Sequence, residues 1–185
     1  ATATFGVGFF MRPIGGVLLG IYADRKGRKA ALQLIISLMT LSIAMIAFAP
    51  PFAAIGIAAP LLIVLARLMQ GFATGGEFAS ATSFLIESAP ANRRGLYGSW
   101  QMFGQGLAVF CGAGVTALVT SNLSPADLDS WGWRIPFIIG LIIGPVGLWM
   151  RRNLSETEAF LEVRQAPKEK QSLARMLRSH LRQVV

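Results

Sequence analysis

Charge is scarce in this 185-residue chain: Asp, Glu, Lys and Arg make up 14% of it, against roughly 25% in an average globular domain. There is one cysteine, Cys111, so no intrachain disulfide forms. There is one histidine, His180, so no Cys/His cluster holds zinc, and a Ser-His-Asp or Cys-His site would have to use that single ring. The expectation is therefore a protein that is not an enzyme, with no metal site and no cofactor. The 20 glycines and 9 prolines are scattered through apolar stretches instead of gathering in a linker, which excludes collagen and low-complexity chains. Hydrophobic residues form 54% of the sequence, too much apolar surface for a disordered chain.

What the sequence does have is long apolar runs, from about Phe5 to Ala23, Ala30 to Pro50, Pro60 to Ile86, Gly95 to Thr120 and Ile135 to Met150. A hydrocarbon layer of about 30 Å needs roughly 20 helical residues. The first, second and fourth runs fit directly. The third is longer and has room to tilt, and the fifth borrows Trp131, Gly132, Trp133 and Arg134. A soluble helical bundle would show polar stripes at helical period, and these runs are apolar on nearly every side. The fold class expected is all-α: a polytopic membrane bundle with five spanning helices over 5–23, 30–50, 60–87, 95–120 and 134–151.

The formal net charge of +8 is distributed by loop. Asp24–Lys29 holds one acid and four bases, and Pro50–Pro60 holds no charge. Glu87–Arg94 holds one acid and two bases, and the loop with Asp127 and Asp129 is closed by Arg134. From Arg151 onward there are eight bases and four acids. Basic and non-basic loops alternate, so the positive-inside rule puts the N-terminus outside and the C-terminus in the cytoplasm, across an inner (plasma) membrane. A nucleic-acid binder would instead gather its bases on one polar surface. All four tryptophans, Trp100, Trp131, Trp133 and Trp149, fall near expected helix ends, as an interfacial aromatic belt requires. The first run has no basic leader and carries Arg12, unlike a signal peptide, and the chain has no initiator methionine, so it reads as a segment of something longer.

Residues 153–185 read as a cytoplasmic linker. Ser155 and Glu158 have capping-box spacing, and Pro167 ends the helix they would start. Leu173, Met176, Leu177 and Leu181 then share a face opposite Arg175, Arg178 and Arg182, as in an amphipathic helix lying on the membrane surface. The alternative is a solvated linker.

Three ionisable groups fall inside spans: Arg12, Arg67 and Glu77. Each costs several kcal/mol there, with about 2.5–3.5 as the low figure, unless it meets a partner or water. An arginine in a cavity offers a planar fork for a carboxylate, and Glu77 is suited to carry a proton. Arg67 and Glu77 are about 15 Å apart along one helix, too far for a direct pair. Gln70, Gln101 and Gln105 are polar at membrane depth, and Gln101 and Gln105, four residues apart, share a face on which they can line one cavity or glue helices. Gly16, Gly20, Gly98, Gly104, Gly106, Gly112 and Gly114 are read as helix-packing positions, and Cys111 as an apolar filler.

The loop after the first run carries the sharpest pattern: Gly20, then Asp24-Arg25-Lys26-Gly27-Arg28-Lys29. Gly27 suits a tight turn. Asp24, at the C-terminal end of a helix, faces an unfavourable dipole and needs a cation, for which Arg25, Arg28 and Arg94 are available. Gly20, Asp24, Arg25, Gly27, Arg28 and Lys29 resemble the signature loop between helices two and three of the major facilitator superfamily. Arg67, Gln70 and Gly71 match that superfamily's fourth-helix motif. Met11 through Gly16, Arg67 through Glu77, Arg93 through Gln101, Trp131 through Phe137 and Glu156 through Glu158 resemble the metabolite:proton symporters within it. The antiporter signature of the fifth helix is absent.

The resemblance implies helices two to six of a twelve-helix transporter, lacking its first helix and its C-terminal half. It implies proton symport of a small organic acid, citrate or a related carboxylate, by alternating access. Its partners would be an organic anion, a proton, the lipid bilayer and the missing half, with no nucleic acid. Arg12, Arg67, Gln70, Glu77, Gln101 and Gln105 would serve substrate and proton, and the Gly20–Lys29 loop with Arg94 would gate the cytoplasmic side. A zwitterionic osmolyte such as proline or betaine is the alternative substrate, and a non-transporting membrane module the alternative role.

Overall fold

Gly27 ends one helix and begins the next. It takes φ +105° and ψ +155°, a backbone region essentially restricted to glycine. In the computed structural model, which describes residues 2–157 and 160–162, α1 spans Thr2–Lys26 and α2 spans Arg28–Ala47 on either side of it. They are followed by α3 (Phe52–Ile55), α4 (Ala58–Glu87), α5 (Arg94–Asn122), α6 (Pro125–Ser130) and α7 (Ile135–Arg152). Five of these, α1, α2, α4, α5 and α7, are long and apolar enough to cross a membrane, and no strand occurs among the described residues.

The ends follow local chemistry. α2 stops at Ala47, earlier than the apolar run suggests, because Pro50 and Pro51 lack donors and push their predecessors toward extended backbone. Pro60 is tolerated in the first turn of α4, where an N–H would have no intrahelical acceptor. The loop with Asp127 is itself a short helix. Ser124 caps it, accepting from the Asp127 amide at 3.2 Å and donating to Asp127 Oδ2 at 2.7 Å, with Pro125 at the first helical position. The helix expected from Ser155 starts later. Residues 154–157 are irregular, and the Thr157 carbonyl accepts from the Leu161 amide at 3.2 Å. Glu158, Pro167, His180 and the amphipathic stretch over 173–182 lie outside the described residues.

The helices pack in the order α7, α2, α4, α1, with α5 along the edge of α4. A small core of Leu19, Ile35 and Ala73 is surrounded by Leu34, Leu38, Met39 and Phe72. The tightest junction joins α1 and α4, which run parallel. A Cβ at Gly71 would overlap the Gly8 backbone, one at Gly75 the Arg12 backbone, and one at Gly15 the Phe72 backbone. At Gly16 it would lie 3.3 Å from the Gly75 carbonyl oxygen. Gly71 and Gly75 are one turn apart, the small-xxx-small spacing that lets backbones touch. Gly20, Gly104, Gly106, Gly112 and Gly114, read as packing positions, do not pack against the described helices: an added Cβ there would meet nothing within 4 Å. At Gly98 it would reach only Ile86, at 3.8 Å. Four of these five glycines sit on α5, which has no buried residue. Phe10, Val109 and Phe110 are also open, as an apolar exterior in a bilayer allows.

Because the obstructing atoms at Gly75 belong to backbone, Gly75→Ala is expected to destabilise the full-length protein by about 1–3 kcal/mol. Gly140→Ala, whose Cβ would meet only Ile43 at 4.0 Å, is expected to stay within about 0.5 kcal/mol of the parent. Thermal denaturation in detergent measures both.

Candidate functional site

The α1–α4 junction places two arginines on one cleft. A cavity of about 220 Å³ is lined by Gly8, Phe9 and Arg12 of α1, Met39 of α2, and Arg67, Gln70, Gly71 and Thr74 of α4. No carboxylate lines it. Arg67 donates to Gln70 Oε1 at 2.9 Å, a bond that fixes its fork one turn along the same helix. The Arg12 guanidinium lies over the Phe9 ring, 4.0 Å from its centroid. Neither arginine has an ion pair among the described residues. Two guanidiniums with five donors each and no acid between them form an anion-accepting arrangement.

Thr74 also borders a second cleft, of about 340 Å³, shared between α4 and α5. Its polar lining is Glu77, Gln101 and Gln105, with Trp100 and Phe78 as walls. Gln101 and Gln105 thus face one cavity. Glu77 does not reach Arg67. Its ion pair is with Arg151 at the end of α7, at 3.9 Å. Arg151 is held independently, donating to the Leu32 carbonyl of α2 at 2.7 Å. Nothing in the sequence pointed to Arg151 as that partner, because a basic residue at a helix end reads as a topological signal.

At the basic end of the bundle, Asp24 takes one of the three cations available to it. Arg28 donates to it at 2.7 Å and also to Glu87 at 3.2 Å. Thr157 donates its hydroxyl to the other Glu87 oxygen at 2.8 Å. The Glu156 carboxylate accepts from the Lys29 amide at 3.2 Å, at the positive end of the α2 dipole. It sits so close to Gly27 that a Cβ there would overlap it. Arg25 and Arg94 make no ion pair among the described residues, and an added Cβ at Gly20 would meet open space. Glu87, Glu156 and Thr157 were not singled out for this junction. The signal for Glu87 was its position as the sole acid in an otherwise basic loop.

At the opposite end Arg134 acts as a clamp. It donates to the Ser130 and Ala49 carbonyls, both at 2.9 Å, and stacks on Trp133 at 4.4 Å. This ties the loop after α2 to the start of α7.

Removing Arg28 leaves the half-buried Glu87 without its cation, whereas Asp24 is 68% exposed. Arg28→Ala is expected to destabilise by about 1–3 kcal/mol, and Asp24→Ala by about 0–1 kcal/mol. Gly27→Ala is expected to cost about 1–3 kcal/mol through its backbone alone. Equal melting temperatures for the Arg28 and Asp24 variants would contradict this ordering.

Residues 1–183 match the model of the sugar (and other) transporter family. The chain is 42% identical over 160 residues to the proline/betaine transporter of Escherichia coli (strain K12), covering 86% of this chain and 32% of the relative. It is 40% identical over 172 residues to the citrate-proton symporter of Salmonella typhi, covering 93% and 40%. The shikimate transporter of Escherichia coli (strain K12) is 41% identical over 160 residues, at 86% and 36%. The chain therefore spans about a third to two-fifths of the length of these relatives. Among solved structures, the proton:xylose symporter XylE bound to 6-bromo-6-deoxy-D-glucose superposes with a TM-score of 0.79 at 21% identity, over 86% of this chain and 36% of that one. The partially occluded inward-open form of XylE from E. coli gives 0.78 at 21%, over 86% and 38%. The chain shares its fold with this major facilitator superfamily symporter, and by the family model it belongs to the sugar (and other) transporter family.

Proposed function

We propose that this chain forms part of a proton-coupled symporter for a small organic acid, citrate or a related carboxylate. It would work by rocking against a partner half around a midplane site. The observation that carries the reading is the cleft with Arg12 and Arg67 and no carboxylate. Unpaired cations at membrane depth are unfavourable, and an entering anion relieves that cost. Its relatives include citrate-proton symporters.

Glu77 is the proton carrier in this reading. When Glu77 takes a proton its ion pair with Arg151 weakens, while the Leu32 carbonyl keeps Arg151 in place. Proton binding therefore changes the α4–α5 cleft without releasing α7. The Arg28–Glu87–Thr157 junction latches the basic end, which the positive-inside rule assigns to the cytoplasm of an inner membrane, with the N-terminus outside. Residues beyond Arg152 lead as a linker to the other half of the transporter.

A zwitterionic osmolyte is the second reading, favoured by Trp100 and Glu77 lining one cleft. An indole face and a carboxylate suit a quaternary ammonium, with the arginines taking the carboxylate end. Several relatives are proline/betaine transporters.

The full-length protein in proteoliposomes separates these. With an imposed inward proton gradient, accumulation of labelled citrate but not betaine is expected, and the reverse selects the second reading. Glu77→Gln is expected to abolish gradient-driven accumulation while keeping substrate counterflow. Full accumulation by that variant would remove Glu77 from coupling. No uptake of any carboxylate or osmolyte by the parent would favour a non-transporting module.

A further inference from the structure

A third cleft lies on the outer side of the bundle at its basic end, away from the two clefts above. It has a volume of about 320 Å³ and runs over α2 between α1 and α7. Its lining includes Tyr22, Gln33, Leu34, Ser37, Leu148 and Arg152. Its depth suits an interface. Tyr22 is four residues from the end of α1, Arg152 is the last residue of α7, and Ser37 is about 14 Å along α2 from Arg28. The cleft thus lies within about three turns of the helix ends that the positive-inside rule assigns to the cytoplasmic surface.

The polar content is unusual for a surface facing lipid. Gln33 and Ser37 form a stripe on α2 that continues one turn outward to Lys29. Tyr22 likewise has Lys26 one turn beyond it on α1. Arg152 thus lines the cleft, and Lys26 and Lys29 stand one helical turn beyond its lining on α1 and α2. None of their side chains has an ion pair among the described residues. The two acids nearest in sequence are already engaged, Asp24 with Arg28 and Glu156 with the Lys29 amide. Ser37 donates to the Gln33 carbonyl at 2.7 Å within α2, and the Gln33 amide donates to the Arg151 carbonyl of α7 at 3.5 Å, so one bond joins the floor to α7.

We propose that this cleft binds the headgroup of an anionic phospholipid, its phosphate between Arg152, Lys29 and Tyr22 and an acyl chain along Leu34 and Leu148. The shared chemistry is a phosphate oxyanion. The lipid is favoured over free phosphate because the cleft lies between apolar membrane-length helices and Leu34 and Leu148 line it beside the polar groups. A basic pocket between spanning helices at the membrane surface is a fitting receptor for such a headgroup.

The test uses the full-length transporter in nanodiscs of phosphatidylcholine with increasing phosphatidylglycerol, read by thermal unfolding and by lipid retained in native mass spectrometry. The parent is expected to gain stability and retain phosphatidylglycerol in a saturable manner. Arg152→Gln is expected to weaken retention about fivefold, and Arg152→Gln with Lys29→Gln further still. Arg93→Gln, which removes a basic-end charge outside the cleft, is expected to behave as the parent. Equal losses for Arg93→Gln and Arg152→Gln would show a diffuse charge effect and overturn the proposal. So would parent-like retention by the double variant. Equal stabilisation by inorganic phosphate in phosphatidylcholine alone would overturn the lipid in favour of a free anion.

Discussion

Two helices in backbone contact set the terms for the rest of this molecule. α1 and α4 approach so closely at Gly8, Gly15, Gly71 and Gly75 that a single methyl group would have to displace a carbonyl. In a bilayer no hydrophobic force drives helices together, so such contact relies on small residues, dispersion and close fit. The contact has a chemical consequence. It brings Arg12 and Arg67, 55 positions apart in sequence, onto one cleft. It also leaves Thr74 and Glu77 on the side of α4 that faces α5.

The charges of the chain then divide by what they touch. Arg28, Arg134 and Arg151 each bridge elements distant in sequence, through Glu87, the Ala49 carbonyl and the Leu32 carbonyl respectively. These are tethers at the two ends of the bundle. Among the described residues Arg12 and Arg67 bridge no distant elements and lie deeper, where an unpaired charge is least favourable. Cations tied between elements at the ends, and cations without an ion pair among the described residues in the middle, are the arrangement on which the proposed anion site rests.

Much of this was legible in the sequence. A bilayer demands about 20 apolar residues per crossing, so the five spans announce themselves within a few residues of their observed ends. The turn at Gly27 and the need of Asp24 for a cation follow from backbone and dipole rules that act locally. Pairing between elements is what local rules leave open. Gly16 and Gly20 share the same spacing as Gly71 and Gly75, and which of them packs depends on which helix lies alongside. Only the assembled bundle shows that Gly16 meets Gly75 while Gly20 faces open space. The partner of Glu77 was hidden for the same reason, since Arg151 reaches it from a helix 74 positions away. Glu156 and Thr157 stood between the expected capping residues Ser155 and Glu158, yet they bind Lys29 and Glu87 of other elements.

The central claim is that the α1–α4 contact makes Arg12 and Arg67 one carboxylate-binding unit. A double-mutant cycle on the full-length protein tests it, measuring equilibrium binding of citrate and of betaine to the parent, Arg12→Gln, Arg67→Gln and the double variant. The account predicts that each single change weakens binding of the preferred substrate about tenfold or more. It also predicts that the double change costs less than the two combined, because both side chains hold one carboxylate. Parent-like affinity in both single variants, with unchanged melting temperatures, would contradict it.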